Sequence, residues 1–255
     1  MPEPDRKKER QALQTVPAAA LQTIRQTLLE GAPALHCSIT EAQADAFCRY
    51  SRLLLEKNQV MNLTAITEPA AVARLHFLDC LTLLQLADFS GKRVIDVGCG
   101  AGFPGIPLVL AEPSIRLTLL DSLAKRTAWL QEILPQLPAE AEVLTGRAEE
   151  LVSSRREQYD LVVSRAVAGL PVLCELCLPW VRPGGMFLAM KGEQADTEAA
   201  QAASAIRKLG GRLERVAGCG IPGTDVVHRV VIIRKERPTP VQYPRRYAKI
   251  KQDPL

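Results

Sequence analysis

The sequence predicts an α/β fold, a mostly parallel sheet wound by helices on both faces, with a small helical module ahead of it. Three observations predict it. From Arg93 onward, short β-branched runs alternate with stretches of helical length, the pattern of a parallel sheet. The first run, Arg93–Val97, leads into glycines at 98, 100 and 102 and then an apolar segment. Strand, glycine turn and helix in that order open a ligand crevice at a strand's carboxyl end. Five such strands followed by a terminal pair make seven, not the six of the dinucleotide-binding sheet.

Residues 1–16 are polar and read as a frayed end. Leu21, Ile24, Leu28 and Leu29 share one helical face, and Gly31 supplies a stop. Ser38-Ile39-Thr40-Glu41 has the form of a capping box for a second helix carrying Phe47, Tyr50 and Leu54. Asn58 to Thr64 reads as a loop, and Thr67 as the cap of a further helical stretch toward Leu86. Residues 17–87 therefore form the helical module, and 88–235 the sheet-bearing core. Expected strands are Arg93–Val97, Arg116–Leu120, Glu142–Leu144, Leu161–Ser164, Met186–Met190, Gly211–Val216 and Val226–Arg234. Helices fall between them at Gly105–Ala111, Ser122–Leu134, Ala148–Ser153, Pro171–Leu178 and Glu193–Leu209.

An apolar content of 47% with 24% charged residues suits a soluble globular chain, and no apolar run approaches the ~20 residues of a membrane helix. No signal-like apolar segment follows the charged start. Seven scattered cysteines fit reduced thiols in a cytoplasm better than a disulfide framework. Cys174-Glu175-Leu176-Cys177 has no second pair or His cluster beside it, so it reads as a buried helix face and no metal site is expected. The net charge of +4 is uneven: Arg234 to Leu255 holds seven Lys/Arg against two Asp/Glu. A basic tail, residues 236–255, on a near-neutral body suggests a polyanionic partner.

Gly100 to Gly105 formally matches the dinucleotide fingerprint G-x-G-x-x-G, which keeps a nicotinamide oxidoreductase in view. Two details oppose it. The tight turn begins earlier, at Gly98, and an acid, Asp96, sits inside the strand end. Asp121 closes the second strand, where a carboxylate accepts hydrogen bonds from a ribose diol, and Ser122 and Leu123 follow it. Ser164-Arg165-Ala166 ends the fourth strand without the Asn/Asp-Pro-Pro-aromatic run used on exocyclic amines, and without the Cys-Pro nucleophile used on pyrimidine carbons. A ring nitrogen with a free lone pair needs neither, since catalysis then reduces to in-line positioning. Arg165 and Lys191 are the candidate positioning cations. His76, on an apolar helix, reads as a packing residue.

Acid-x-Gly-x-Gly-x-Gly resembles the first motif of class I S-adenosylmethionine (SAM) methyltransferases. The match extends through Asn62-Leu63-Thr64-Ala65-Ile66, His76-Phe77-Leu78-Asp79, Gly102-Phe103-Pro104-Gly105-Ile106-Pro107, Leu119-Leu120-Asp121-Ser122-Leu123, Lys125-Arg126 and Ser164-Arg165-Ala166. In this order they resemble the bacterial 16S rRNA guanine-N7 methyltransferases, first called glucose-inhibited division protein B. That resemblance implies a class I core whose seventh strand runs antiparallel, and methylation of one guanine in the decoding-region loop. It places SAM on Asp96, Gly98, Gly100, Gly102, Phe103, Asp121, Ser122, Leu123, Ala148, Glu149 and Arg165, with Asp96 facing the methionine end. Phosphate contacts are expected from Lys125, Arg126, Arg147, Arg245 and Arg246. The expected partner is 16S rRNA or the small ribosomal subunit, met by a cytoplasmic monomer. An RNA-binding assembly factor on the same fold is the non-enzymatic alternative.

Overall fold

The computed structural model describes residues 15–165 and 167–255. Its centre is a seven-stranded sheet, β1 Arg93–Val97, β2 Arg116–Asp121, β3 Ala141–Thr145, β4 Tyr159–Arg165, β5 Val181–Lys191, β6 Gly211–Gly220 and β7 Val227–Lys235. The order is β3-β2-β1-β4-β5-β7-β6, with β7 antiparallel to both of its neighbours. The chain winds outward from β1 through β2 to β3, then restarts on the other side of β1 with β4. That reversal leaves a crevice at the carboxyl ends of β1 and β4, the place where doubly wound sheets bind ligands.

Alternation along the strands explains why both faces are covered, since successive side chains point to opposite sides. Val94, Leu119, Val163, Leu188 and Ile232 join one apolar cluster; Ile95, Leu120, Val162, Phe187 and Ile233 join the other. The first cluster runs without a break into Ile24, Leu28, Phe47, Tyr50 and Phe77 of the leading helices. The helical segment is thus a layer on the sheet, each buried Leu or Phe contributing about 1.5–3 kcal/mol. The second cluster takes in the helices Leu170–Cys177, Ala195–Gln201 and Ala203–Lys208, and Ile250 near the C-terminus. Cys174 and Cys177 are both buried in it.

Several local boundaries differ from expectation. The capping box of the helix Glu41–Met61 is Thr40 with Gln43, not Ser38 with Glu41. Gln43 Nε2 also donates to the carbonyls of Leu110 and Ala111 (3.1 and 2.9 Å), so packing against the helix Gly105–Ala111 selects that register. The same helix runs on to Met61, and the loop begins at left-handed Asn62 rather than at Asn58. Glu68, not Thr67, caps the next helical stretch, accepting from the Ala70 and Ala71 amides. Within it, Val72–Leu78 is wound as a π-helix, with the Asp79 amide bonded to Arg74 O five residues back. Such π turns are frequent at functional sites, and this one carries His76. Strands β4, β5 and β6 are longer than the apolar runs that announced them; in β6, polar Arg212 and Arg215 continue the pairing with β7 opposite Arg234 and Ile232.

Candidate active site

The crevice at the sheet's carboxyl edge has two ends. At the first, the Gly98 amide donates to Leu120 O (2.8 Å) and the Cys99 amide to the same oxygen (3.0 Å), tying the turn after β1 to β2. Gly98 has φ +76°, and a Cβ there would stand 2.4 Å from Val167 Cγ2, so only glycine lets the backbone lie against this wall. The carboxylate of Asp121 accepts from the Gly100 amide (2.9 Å) and the Leu123 amide (2.8 Å), while Arg126 stands 3.6 Å away. Each oxygen keeps a lone pair for a further donor. Tyr50 braces the loop from behind, its hydroxyl donating to Ala101 O at 2.6 Å.

Of the residues expected to hold cofactor, Gly98, Asp121, Ser122, Ala148 and Glu149 line one pocket. Burial pushes the Glu149 carboxyl above its ordinary pKa. Gly100 and Gly102 shape the loop beside that pocket. Leu123 is half exposed at its rim. Asp96 is fully buried: one oxygen accepts from the Gly105 amide (2.8 Å), the other has no hydrogen-bond partner. Burial, opposed by that amide and by Arg165, raises its pKa to about 7. The structure therefore sets Asp96 beneath the loop, where it anchors the start of the following helix. A larger cleft, about 1200 Å³, opens at the opposite, amino ends of β1, β2 and β3. It lies away from the glycine turn and from the edge where such sheets bind ligands.

At the second end the groups are side chains. Arg165 Nη1 donates to Leu75 O and to Asp79 Oδ2, both at 3.2 Å, and Nη2 lies 3.2 Å from His76 Nδ1. Its guanidinium carbon sits 4.7 Å from the Phe103 ring centroid, and His76 is stacked on that ring at 4.5 Å. His76 Nε2 is 2.7 Å from Thr64 Oγ1, and Thr64 is held through its backbone by the Asn58 amide. Because an arginine only donates, His76 Nδ1 must accept and Nε2–H must donate to Thr64. Burial, reinforced by Arg165, lowers the His76 pKa to about 3. The second oxygen of Asp79 accepts from His228 Nδ1 at 2.8 Å, and this bond raises the His228 pKa.

Lys191 does not reach this cluster. It donates to Glu198 Oε2 (2.7 Å) and Ala168 O (2.5 Å), which leaves it a structural cation holding the β5 terminus to the helix Ala195–Gln201. Arg245 is likewise engaged, by Glu175. Lys125, Arg147 and Arg246 are exposed, and Arg126 partly so. Sequence reasoning missed Asp79 as the partner of Arg165 and His228 as the second partner of Asp79. His76-Phe77-Leu78-Asp79 was a visible motif; His228 carried no signal, because it lies 149 residues from Asp79.

A family model described as rRNA small subunit methyltransferase G matches residues 43–227. The chain belongs to this family. Its relatives agree with the methyltransferase G assignment along nearly their whole length. Ribosomal RNA small subunit methyltransferase G of Alkaliphilus oremlandii is 44% identical over 91% of this chain and 99% of that protein. The protein of the same name from Pelotomaculum thermopropionicum is 44% identical over 92% of this chain and all of its own. Among solved structures, a chain of the complex between the Haloferax volcanii Trm112 methyltransferase activator and a methyltransferase is similar in fold. It has a TM-score of 0.52 and 14% identity over 64% of this chain and 90% of that one.

Proposed function

We propose that this methyltransferase G family member transfers the methyl group of SAM to N7 of a guanine in the decoding-region loop of 16S rRNA. SAM, when bound, supplies an electrophilic methyl on a sulfonium. The pocket residues fit its nucleoside: Gly98 lets the backbone lie against the Val167 wall, Asp121 has free lone pairs for a ribose diol, and Ala148 and Glu149 flank the adenine side. The single observation that carries the target atom is His76. Both ring nitrogens are engaged and the imidazole stays neutral far below neutral pH, so the one histidine stacked at the glycine loop is no proton acceptor. A guanine N7 has no proton to give up. What remains for the protein is alignment of nucleophile and methyl, and effective molarity alone supplies about 7–11 kcal/mol of such a barrier.

In this reading Arg165, held over Phe103 and pinned by Asp79, positions the base or the cofactor's methionine end. Lys125, Arg126, Arg147 and Arg246 offer charge to RNA phosphates, with the small ribosomal subunit as the physiological partner. A cytoplasmic monomer is the accompanying expectation, supported for the compartment by seven unpaired cysteines. The test is transfer of labelled methyl from SAM to small-subunit rRNA, free and in the subunit particle, followed by nucleoside analysis. The expected product is 7-methylguanosine at one position. A product methylated at an exocyclic amine, or none with either substrate, would falsify the reading.

A further inference from the structure

The C-terminal segment returns over the sheet and is bolted to it. Lys235 is fully buried, donating to Leu178 O and Thr239 Oγ1 (both 2.6 Å). Arg156 donates to the carbonyls of Thr239, Pro240 and Tyr243. Arg245 then wraps Glu175, a carboxylate with no exposed surface, through its backbone amide (2.7 Å), Nε (2.9 Å) and Nη2 (2.6 Å). An ion pair buried in this way is costly to desolvate and is satisfied in only one register. A short helix follows, Tyr247–Gln252, and Ile250 sinks into the core.

This anchoring delivers Tyr247 into the pocket that holds Gly98, Asp121, Ala148 and Glu149. The ring is only partly buried, and the Arg147 guanidinium carbon lies 4.8 Å from its centroid. A rigid aromatic wall backed by Arg147 of the loop after β3, in the same pocket as Ala148 and Glu149, is a surface on which a purine stacks.

We propose that Tyr247 is an adenine-side residue of the cofactor site, and that the C-terminal segment completes this site. The inference rests on the SAM-dependent reading above. It places the affinity for the nucleoside in a part of the chain more than a hundred residues beyond the glycine turn. The two charges that the tail's basic composition most suggested for RNA then divide: Arg245 fixes the segment, and Arg246 alone faces outward.

The experiment is calorimetric titration of the full-length protein and its variants with S-adenosylhomocysteine, alongside thermal melting of each. Tyr247→Ala weakens binding about tenfold, about 1.4 kcal/mol, within the range of a lost base–aromatic stack. Tyr247→Leu, which refills the apolar volume without a ring, shows the same loss should the alanine variant fold poorly. Tyr247→Phe returns affinity to within about twofold of the parent, as stacking on the ring requires. Parent affinity in both the alanine and leucine variants overturns the proposal, as does a phenylalanine variant as weak as alanine. A parent protein that does not bind S-adenosylhomocysteine overturns this proposal and the methyltransferase reading together.

Discussion

Along the carboxyl edge of the sheet, the glycine-turn end is shaped by backbone and the opposite end by side chains. At Gly98, Gly100 and Asp121, amides and a carboxylate within two adjacent loops bind one another, with neutral donors fixing the acid. At Arg165, by contrast, a guanidinium, two imidazoles and a carboxylate converge from the π-helical segment, β4 and β7. The first arrangement tolerates no added side chain; the second tolerates no missing partner. Backbone cradles are specified by the absence of a Cβ, whereas a buried charged cluster stands only if every member is satisfied.

Removing a partner at the side-chain end has the largest expected effect. Asp79→Ala leaves the Arg165 charge and the His228 imidazole without their shared acceptor. It is expected to cost about 3 kcal/mol of stability in urea denaturation, the lower range for breaking a buried pair. Methyl transfer by the folded fraction falls, with affinity for S-adenosylhomocysteine little changed. Equal damage to cofactor affinity would erase the distinction between the two ends.

Adding a side chain at the backbone end is the converse. Gly98→Val combines a β-branched residue at φ +76° with a collision at Val167. About a hundredfold loss of S-adenosylhomocysteine affinity is expected, equivalent to about 2.7 kcal/mol from strain and displacement. The stability of the unliganded protein changes less than in Asp79→Ala.

The smallest effect is pH dependence confined to the side-chain end. His228 has its pKa raised by the bond to Asp79, with burial and Arg165 opposing. Its contribution is therefore complete below the unfolded imidazole value of about 6.5 and fades as pH rises through the folded value. The stability gap between the parent and His228→Gln, measured as urea midpoints, should be full below about pH 6.5 and shrink as pH rises above it. His76, whose folded pKa is lowered to about 3, contributes the opposite trend below about 6.5 in both proteins and cancels in the comparison. A gap that is constant or widens with pH would show that His228 does not donate to Asp79 as an imidazolium.

How much of this was legible differs between the ends. The alternation from Arg93 to Lys235, the glycine turn and Asp121 are short-range patterns, and the sheet runs where they predicted. The strand order was not legible, because right-handed crossovers permit several doubly wound orders and only the fold puts the switch point at β1. Lys191 looked like a rim cation because it ends a strand, yet Glu198 one turn into the next helix captures it. Arg245 counted toward the tail's basic charge, yet Glu175 takes it, because composition records charge and not pairing.

What the sequence by itself determined is everything set by neighbours along the chain. That covers the strand and helix periods, the left-handed turn that only glycine accepts, the acid that follows β2 and, through its motifs, the family. Tertiary structure alone decided which charges are free and which are bound. Arg165 reaches Asp79 across 86 residues, His228 reaches it across 149, and Arg245 meets Glu175 across 70. The physical reason is that a buried ion needs a partner wherever the fold brings one near, and no local pattern encodes that distance.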